Sequence, residues 1–222
     1  MTISRKRVAS LVVIAGSLAV TPLLSEMTSS RTILLAMGMN VKKMMHYEWK
    51  QRVTVIHRGK PSEPMVDQIR FDSAGQMQRT VISAPQQKEM GGIRGKIAAG
   101  VKENVKGIME LAGRYNKPQQ MMEAIKKADI SQGPGTTRLV ASNLIQPTDS
   151  MTMLVNPATH LANHVDIRTT YEGSPMTVAQ DYSPVPDGPN VMRTMKVSVP
   201  QKQIDVNVES YDFVRQTALL TR

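Results

Sequence analysis

From Thr136 to Phe213 the chain reads as one strand after another, and this repetition restricts its fold more than any other feature. Apolar and polar residues alternate through Thr136–Ile145, Ser150–Val155, Thr159–Tyr171, Ser174–Tyr182, Val191–Val199 and Gln203–Phe213. Alternation at period two is what a strand needs to bury one face and wet the other. The segments between are turn formers: Gln146-Pro147-Thr148-Asp149, Asn156-Pro157, Glu172-Gly173, Asp187-Gly188-Pro189 and Pro200-Gln201. Links this short join antiparallel neighbours, not parallel ones. In the last segment Ile204, Val206 and Val208 share a face, whereas Tyr211 and Phe213 fall on the other. That slip predicts a bulge or a change of exposure.

The same pattern occurs earlier. Tyr47, Trp49, Val53 and Val55 alternate with Glu48, Lys50, Arg52 and Thr54. After Arg58-Gly59-Lys60-Pro61 a second strand runs roughly from Met65 to Phe71. Beyond the turn Asp72-Ser73-Ala74-Gly75 a third covers Met77 to Ser83. The whole chain therefore offers about nine strands.

Two stretches change period. Ile33, Leu34, Met37, Val41, Met44 and Met45 recur at helical spacing, with Ser29 or Ser30 available as the cap. From Ile93 to Tyr115 the residues Ile97, Val101, Val105, Ile108 and Ala112 form an apolar stripe flanked by Arg94, Lys96, Lys102, Lys106 and Arg114. Pro118 suits the first position of a shorter helix ending near Ala128, and Gln132-Gly133-Pro134-Gly135 closes the helical segment. Antiparallel strands with helices on one face make an α+β domain. The expected architecture is a curved antiparallel sheet covered by helices, with an apolar space between the two layers.

Residues 1–27 stand apart. Arg5, Lys6 and Arg7 precede an apolar run from Val8 to Leu24 with no acid before Glu26, the pattern of a signal peptide. Ser10, Gly16, Ser17, Thr21 and Pro22 interrupt that run, so it makes a poor membrane span. Cleavage releases residues 28–222 as a single domain in the periplasm or outside the cell. Without cleavage the segment is a membrane anchor. The 222 residues include no cysteine, which excludes disulfides and thiolate metal sites. A net charge of +10 favours an anionic membrane surface as a partner. With one Trp, five Tyr and two Phe, the chain lacks the interleaved aromatics of a nucleic-acid groove. Seventeen methionines supply soft, adaptable apolar surface, and Met44, Met45, Met121, Met122, Met151 and Met153 could line a pliable pocket.

The stretch Tyr47 to Ser83 resembles a set of exported bacterial proteins that share a Trp-Lys-x-Arg opening, here Trp49-Lys50-Gln51-Arg52, and an Ile/Val-Arg-Phe/Tyr-Asp followed by a Gly turn, here Ile69-Arg70-Phe71-Asp72 to Gly75. By element order, export and patterning, most of the chain is similar to the LolA/LolB-like superfamily, which includes periplasmic carriers of outer-membrane lipoproteins. The resemblance implies an incomplete β-barrel lidded by helices, with an apolar cavity that accepts acyl chains. The chain lacks the carriers' Trp/Arg-Pro strand motif, so no functional arginine is carried over.

Other chemistry finds little footing. His160 and His164 read as strand residues about 13 Å apart, too far for one metal ion. Gly91-Gly92-Ile93-Arg94-Gly95-Lys96 lacks the first glycine and the Ser/Thr of a phosphate loop, with Met90 and Ile97 in their places. There is no Gly-x-Ser-x-Gly elbow. The expectation is a non-enzymatic binding protein with no cofactor, no metal and no catalytic residues. Its cavity for an acyl chain, lipid or lipoprotein would be lined by Trp49, Val53, Ile69 and Phe71 on the sheet and Ile97, Val101, Val105 and Ile108 on the helix. The competing reading is a ligand-free structural or regulatory envelope protein that uses the same fold to bind another protein.

Overall fold

The computed structural model describes residues 29–84 and 92–216, with backbone only for 92–97. The leader at 1–27 and the Ile97 side chain lie outside the described residues. The chain opens with α1 (Ser30–Met44), started by a reciprocal capping box. The Thr32 backbone N–H donates to Ser29 Oγ at 3.3 Å, and the Ser29 N–H donates to Thr32 Oγ1 at 3.0 Å. Two N–H groups that a helix start leaves unpaired are thereby satisfied.

Four strands follow: β1 (Tyr47–His57), β2 (Lys60–Pro61), β3 (Met65–Phe71) and β4 (Met77–Ser83). The helices α2 (Gly92–Tyr115) and α3 (Pro118–Lys127) come next, with Pro118 opening α3 as expected. The chain then meanders through β5 (Asp129–Gly133), β6 (Thr136–Ser142), β7 (Ser150–Val155), β8 (Ala162–Tyr171), β9 (Ser174–Pro184), β10 (Asn190–Val199) and β11 (Ile204–Arg215). All described pairings are antiparallel, and the spatial order is β4-β3-β1-β11-β10-β9-β8-β7-β6-β5, with β2 beside β1. The pairing of β1 with β11, from Tyr47↔Arg215 to His57↔Ile204, joins the two ends of the described chain. Strands β4 and β5 remain at the edges, so the sheet is open. Register shifts at Glu48/Lys50, Val66/Asp67, Leu154/Val155 and Met192/Thr194 mark bulges, which bend strands and sharpen twist.

The helices cover one side of this sheet. Ile33 of α1, Ile108 of α2 and Ile125 of α3 are fully buried in one continuous core with Leu139, Met151, Val165, Val178, Val197 and Val206. Tyr115 and Ala112 close the lower turns of α2 against it.

The structure refines several sequence expectations. The sheet has eleven strands among the described residues, not nine. One addition is the two-residue β2. The other is β5, in the stretch read as the close of the helices. Only Ile130 of β5 is shielded, so no alternation shows, and Gly135 at φ 69° makes the tight turn to β6. Strand β8 starts at Ala162, not Thr159. Asn156 Oδ1 accepts from the N–H groups of Ala158 and Thr159, and His160 takes a left-handed φ of 56°. His160 therefore sits in a turn, not on the strand face assigned to it.

Candidate functional site

Four of the eight expected lining residues meet between the helices and the sheet. Val53 and Ile108 belong to the continuous core, with Val101 and Val105 half-buried against it. Methionines are spread among the valines and isoleucines of this interface. Met121, Met151, Met153, Met176 and Met195 are buried, and Met37, Met65, Met109 and Met192 pack against them half-buried. Of the methionines singled out from sequence, Met121, Met151 and Met153 are interior, Met44 and Met45 are half-buried, and Met122 is exposed.

Two buried polar groupings interrupt the apolar lining. Asp149, in the turn after β6, holds the Tyr115 hydroxyl on Oδ2 at 2.6 Å. The same oxygen accepts the N–H groups of Ile145 at 2.9 Å and Gln146 at 2.6 Å. Tyr115 also meets Thr169 Oγ1 at 2.8 Å. Burial, with the Asp149 carboxylate next, pushes the Tyr115 phenol up to about 12, so the hydroxyl stays protonated and donates. Burial pulls the other way on Asp149, but its hydrogen bonds prevail and hold its carboxyl below the usual range. In the second grouping, fully buried Gln180 donates from Nε2 to Asn116 Oδ1 at 2.7 Å and accepts the Tyr182 hydroxyl at 2.9 Å. Sequence reasoning missed both groupings, because partners 34 and 64 positions apart carry no local signal.

Trp49, Ile69 and Phe71 form a separate group. Trp49 lies opposite Ile69 across β1 and β3, and both are buried outside the continuous core. The Trp49 ring packs tilted on Phe71 at 6.0 Å and stacked on Phe213 at 5.8 Å. The Arg193 guanidinium sits 4.7 Å from the Phe213 ring centre. The bulge expected in β11 is present, at Asp212 with φ 52°. Its effect differs from the sequence reading: it separates Tyr211, over which Arg52 lies, from Phe213, which joins Trp49. An extra residue in a strand resets alternation, so parity alone misassigns the face.

At Gly107 of α2 an added Cβ would run into the Tyr171 hydroxyl at the end of β8. The cavity lined by Tyr115, Gln120, Met121, Ala124, Leu144, Met151 and Ile167 holds about 10 Å³, room for roughly one water. An acyl chain needs several hundred cubic ångströms, so this cavity as it stands does not admit one.

No cluster of three or more metal-binding side chains occurs among the described residues. His164 instead bridges two acids, with Nδ1 2.7 Å from Asp181 and Nε2 3.0 Å from Asp166. Burial works against its charged form, but the hydrogen bonds to Asp181 and Asp166 outweigh it and raise the imidazole above its ordinary value of 6.5. The hydrogen bond from His164, then that from Thr194, lowers Asp181. A raised histidine stabilises the fold fully below pH 6.5, and that contribution fades as pH rises through the raised value. The lowered aspartate contributes above its ordinary 3.8 and fades as pH falls through its lowered value. The urea midpoint difference between wild type and His164→Gln should therefore be larger at pH about 5.5 than at pH about 8.5. An equal difference at both would mean the bridge carries no charge.

No family model and no curated protein matches the chain. Solved structures with a similar course exist. A DUF1329 family protein from Desulfovibrio piger is 12% identical, with 87% of this chain and 96% of that one covered at a TM-score of 0.44. A domain described as an outer membrane lipoprotein-sorting protein domain, from Vibrio parahaemolyticus, is 11% identical over 86% and 95%, TM-score 0.40. A LolA superfamily protein from Nitrosomonas europaea is 7% identical over 86% and 95%, TM-score 0.41. Likeness at this level says nothing of what the chain binds. The α+β architecture itself, an open antiparallel sheet under a helical cover, rests on the strand pairings and the shared core.

Proposed function

We propose that the chain is an exported, non-enzymatic protein whose 28–222 domain takes up an acyl chain, as a lipid or lipoprotein, between α2 and the sheet. The observation that carries this reading is the methionine-rich interior with two buried polar groupings in it. Binding sites of this kind are mostly apolar with a few polar groups that fix orientation. Methionine side chains have three rotatable bonds and repack at little cost, so the methionines placed among the branched residues give this interior room to adapt. On this reading Val53, Val101, Val105 and Ile108 line the opened space, and Ile97 extends it along α2. Trp49, Ile69 and Phe71 serve the stability of the sheet end instead.

The test is saturable binding of a fluorescent fatty acid or lipopeptide. Val101→Asp and Val105→Asp should each weaken uptake by about tenfold or more, because an unpaired charge in an apolar site is heavily penalised. Lys102→Ala and Lys106→Ala, at exposed positions of α2, should have smaller effects that fade with salt. Circular dichroism must show each variant folded. Absence of any saturable uptake by folded wild type overturns the carrier reading. The scaffold reading then takes its place, a ligand-free envelope protein that binds another protein. The small cavity of about 10 Å³ is the observation that favours it.

A further inference from the structure

We infer that the outward face of α1 is a docking surface for an anionic lipid bilayer. This surface is distinct from the interior and stands whether or not the interior takes an acyl chain. Ile33 and Ala36 bury one side of α1. Asn40 fixes the same side to the start of β10: its Nδ2 donates to the Asn190 carbonyl at 2.7 Å, and its Oδ1 accepts the Asn190 N–H at 2.7 Å. That clamp leaves Arg31, Leu35, Met39 and Lys42, spaced four, four and three apart, as a stripe on the opposite side. Leu35 is 60% exposed and Met39 61% exposed, one turn apart on this stripe. Cations bracket them, with Arg31 one turn before and Lys42 and Lys43 in the last turn, and α1 contains no acidic residue.

An apolar stripe with cations at both ends fits the boundary of a bilayer. Leu35 and Met39 would enter the acyl region while Arg31, Lys42 and Lys43 meet anionic head groups. Position along the chain agrees. The apolar run Val8–Leu24 ends five residues before the Ser29 cap, a reach of at most about 18 Å when extended. While that run is attached and in a membrane, α1 is held at its surface.

The chain has no cysteine, so one introduced thiol reports one place. Full-length Met39→Cys carrying a polarity-sensitive fluorophore would be mixed with vesicles of phosphatidylcholine alone or with phosphatidylglycerol added. Thr177→Cys reports the sheet face away from the helices, since Met176 and Val178 beside it point into the core. The Met39 probe should shift to the blue with the phosphatidylglycerol vesicles, and the Thr177 probe should not. Salt should reverse the shift. Adding Lys42→Glu and Lys43→Glu should raise the lipid concentration for half-binding by about tenfold or more. A chain that sediments with vesicles while its Met39 probe stays polar is held by another segment and overturns the inference. So does a shift that neutral vesicles produce equally, or one that grows with protein concentration without lipid, which marks a second copy as the occupant. The fatty-acid assay above is read separately, so failure of one leaves the other standing.

Discussion

Trp49→Ala is expected to lower stability by about 3–5 kcal/mol, the range for removing a large aromatic from a packed interior. Trp49 is only 6% exposed although it sits beside the bulge where β1 and β11 change register. Two neighbouring strands converge on its ring: from β3 Ile69 stands opposite and Phe71 packs against it, and from β11 Phe213 stacks on it. Aromatic pairs contribute about 0.5–1.5 kcal/mol each beyond their buried area, so truncation removes two such terms and leaves a void. The strands joined there include the pairing of β1 with β11, far apart in the described chain, and no local hairpin re-forms it. Trp49→Phe should recover most of the loss. Trp49 is the sole tryptophan, so a urea titration followed by circular dichroism is the appropriate measurement. A loss below about 1 kcal/mol would mean that the group does not hold this end of the sheet.

The second large effect is expected from Asp149→Ala, also about 3–5 kcal/mol. One carboxylate oxygen accepts from the Tyr115 hydroxyl and from two backbone N–H groups, and Asp149 is 2% exposed. Alanine leaves those donors buried without a charged acceptor, at about 1–3 kcal/mol each and less than additively. The damage spreads from the β6–β7 turn to the end of α2, because Tyr115 anchors that helix. The effect depends on pH. Asp149 is held below its ordinary 3.8 against the pull of burial, so its contribution is present above that pH and is lost as pH falls through the lowered value. Wild type should lose melting temperature on acidification from pH about 5 to about 2.5 more steeply than Asp149→Ala. Parallel curves would mean that the carboxyl is not ionised in the folded protein.

How much the chain announced in advance follows from the range of each signal. The α1 helix with a cap at Ser29 or Ser30, the Pro118 start of α3 and the antiparallel course of β6 to β11 come from periods and turn residues within a few positions of one another. The α+β class follows from them, since elements that each bury one face have few ways to combine. Strand β5 escaped because an edge strand exposed on both faces has no alternation to read. Phe213 was placed on the wrong face because a single bulge residue at Asp212 inverts the parity of all that follows.

What the sequence determined by itself is local: which segments form helices or strands, where they turn, and which face of each is apolar. Tertiary structure decided which apolar faces meet. It set Val53, Val101, Val105 and Ile108 in or against one core and gathered Trp49, Ile69 and Phe71 in another place. It also closed β1 onto β11, joined Tyr115 to Asp149, and turned Leu35 and Met39 outward by clamping Asn40 to Asn190. The physical reason is that apolar attraction is non-directional and names no partner. Buried hydrogen bonds between distant residues, and the register of long-range strand pairs, single out one arrangement only once the layers are packed.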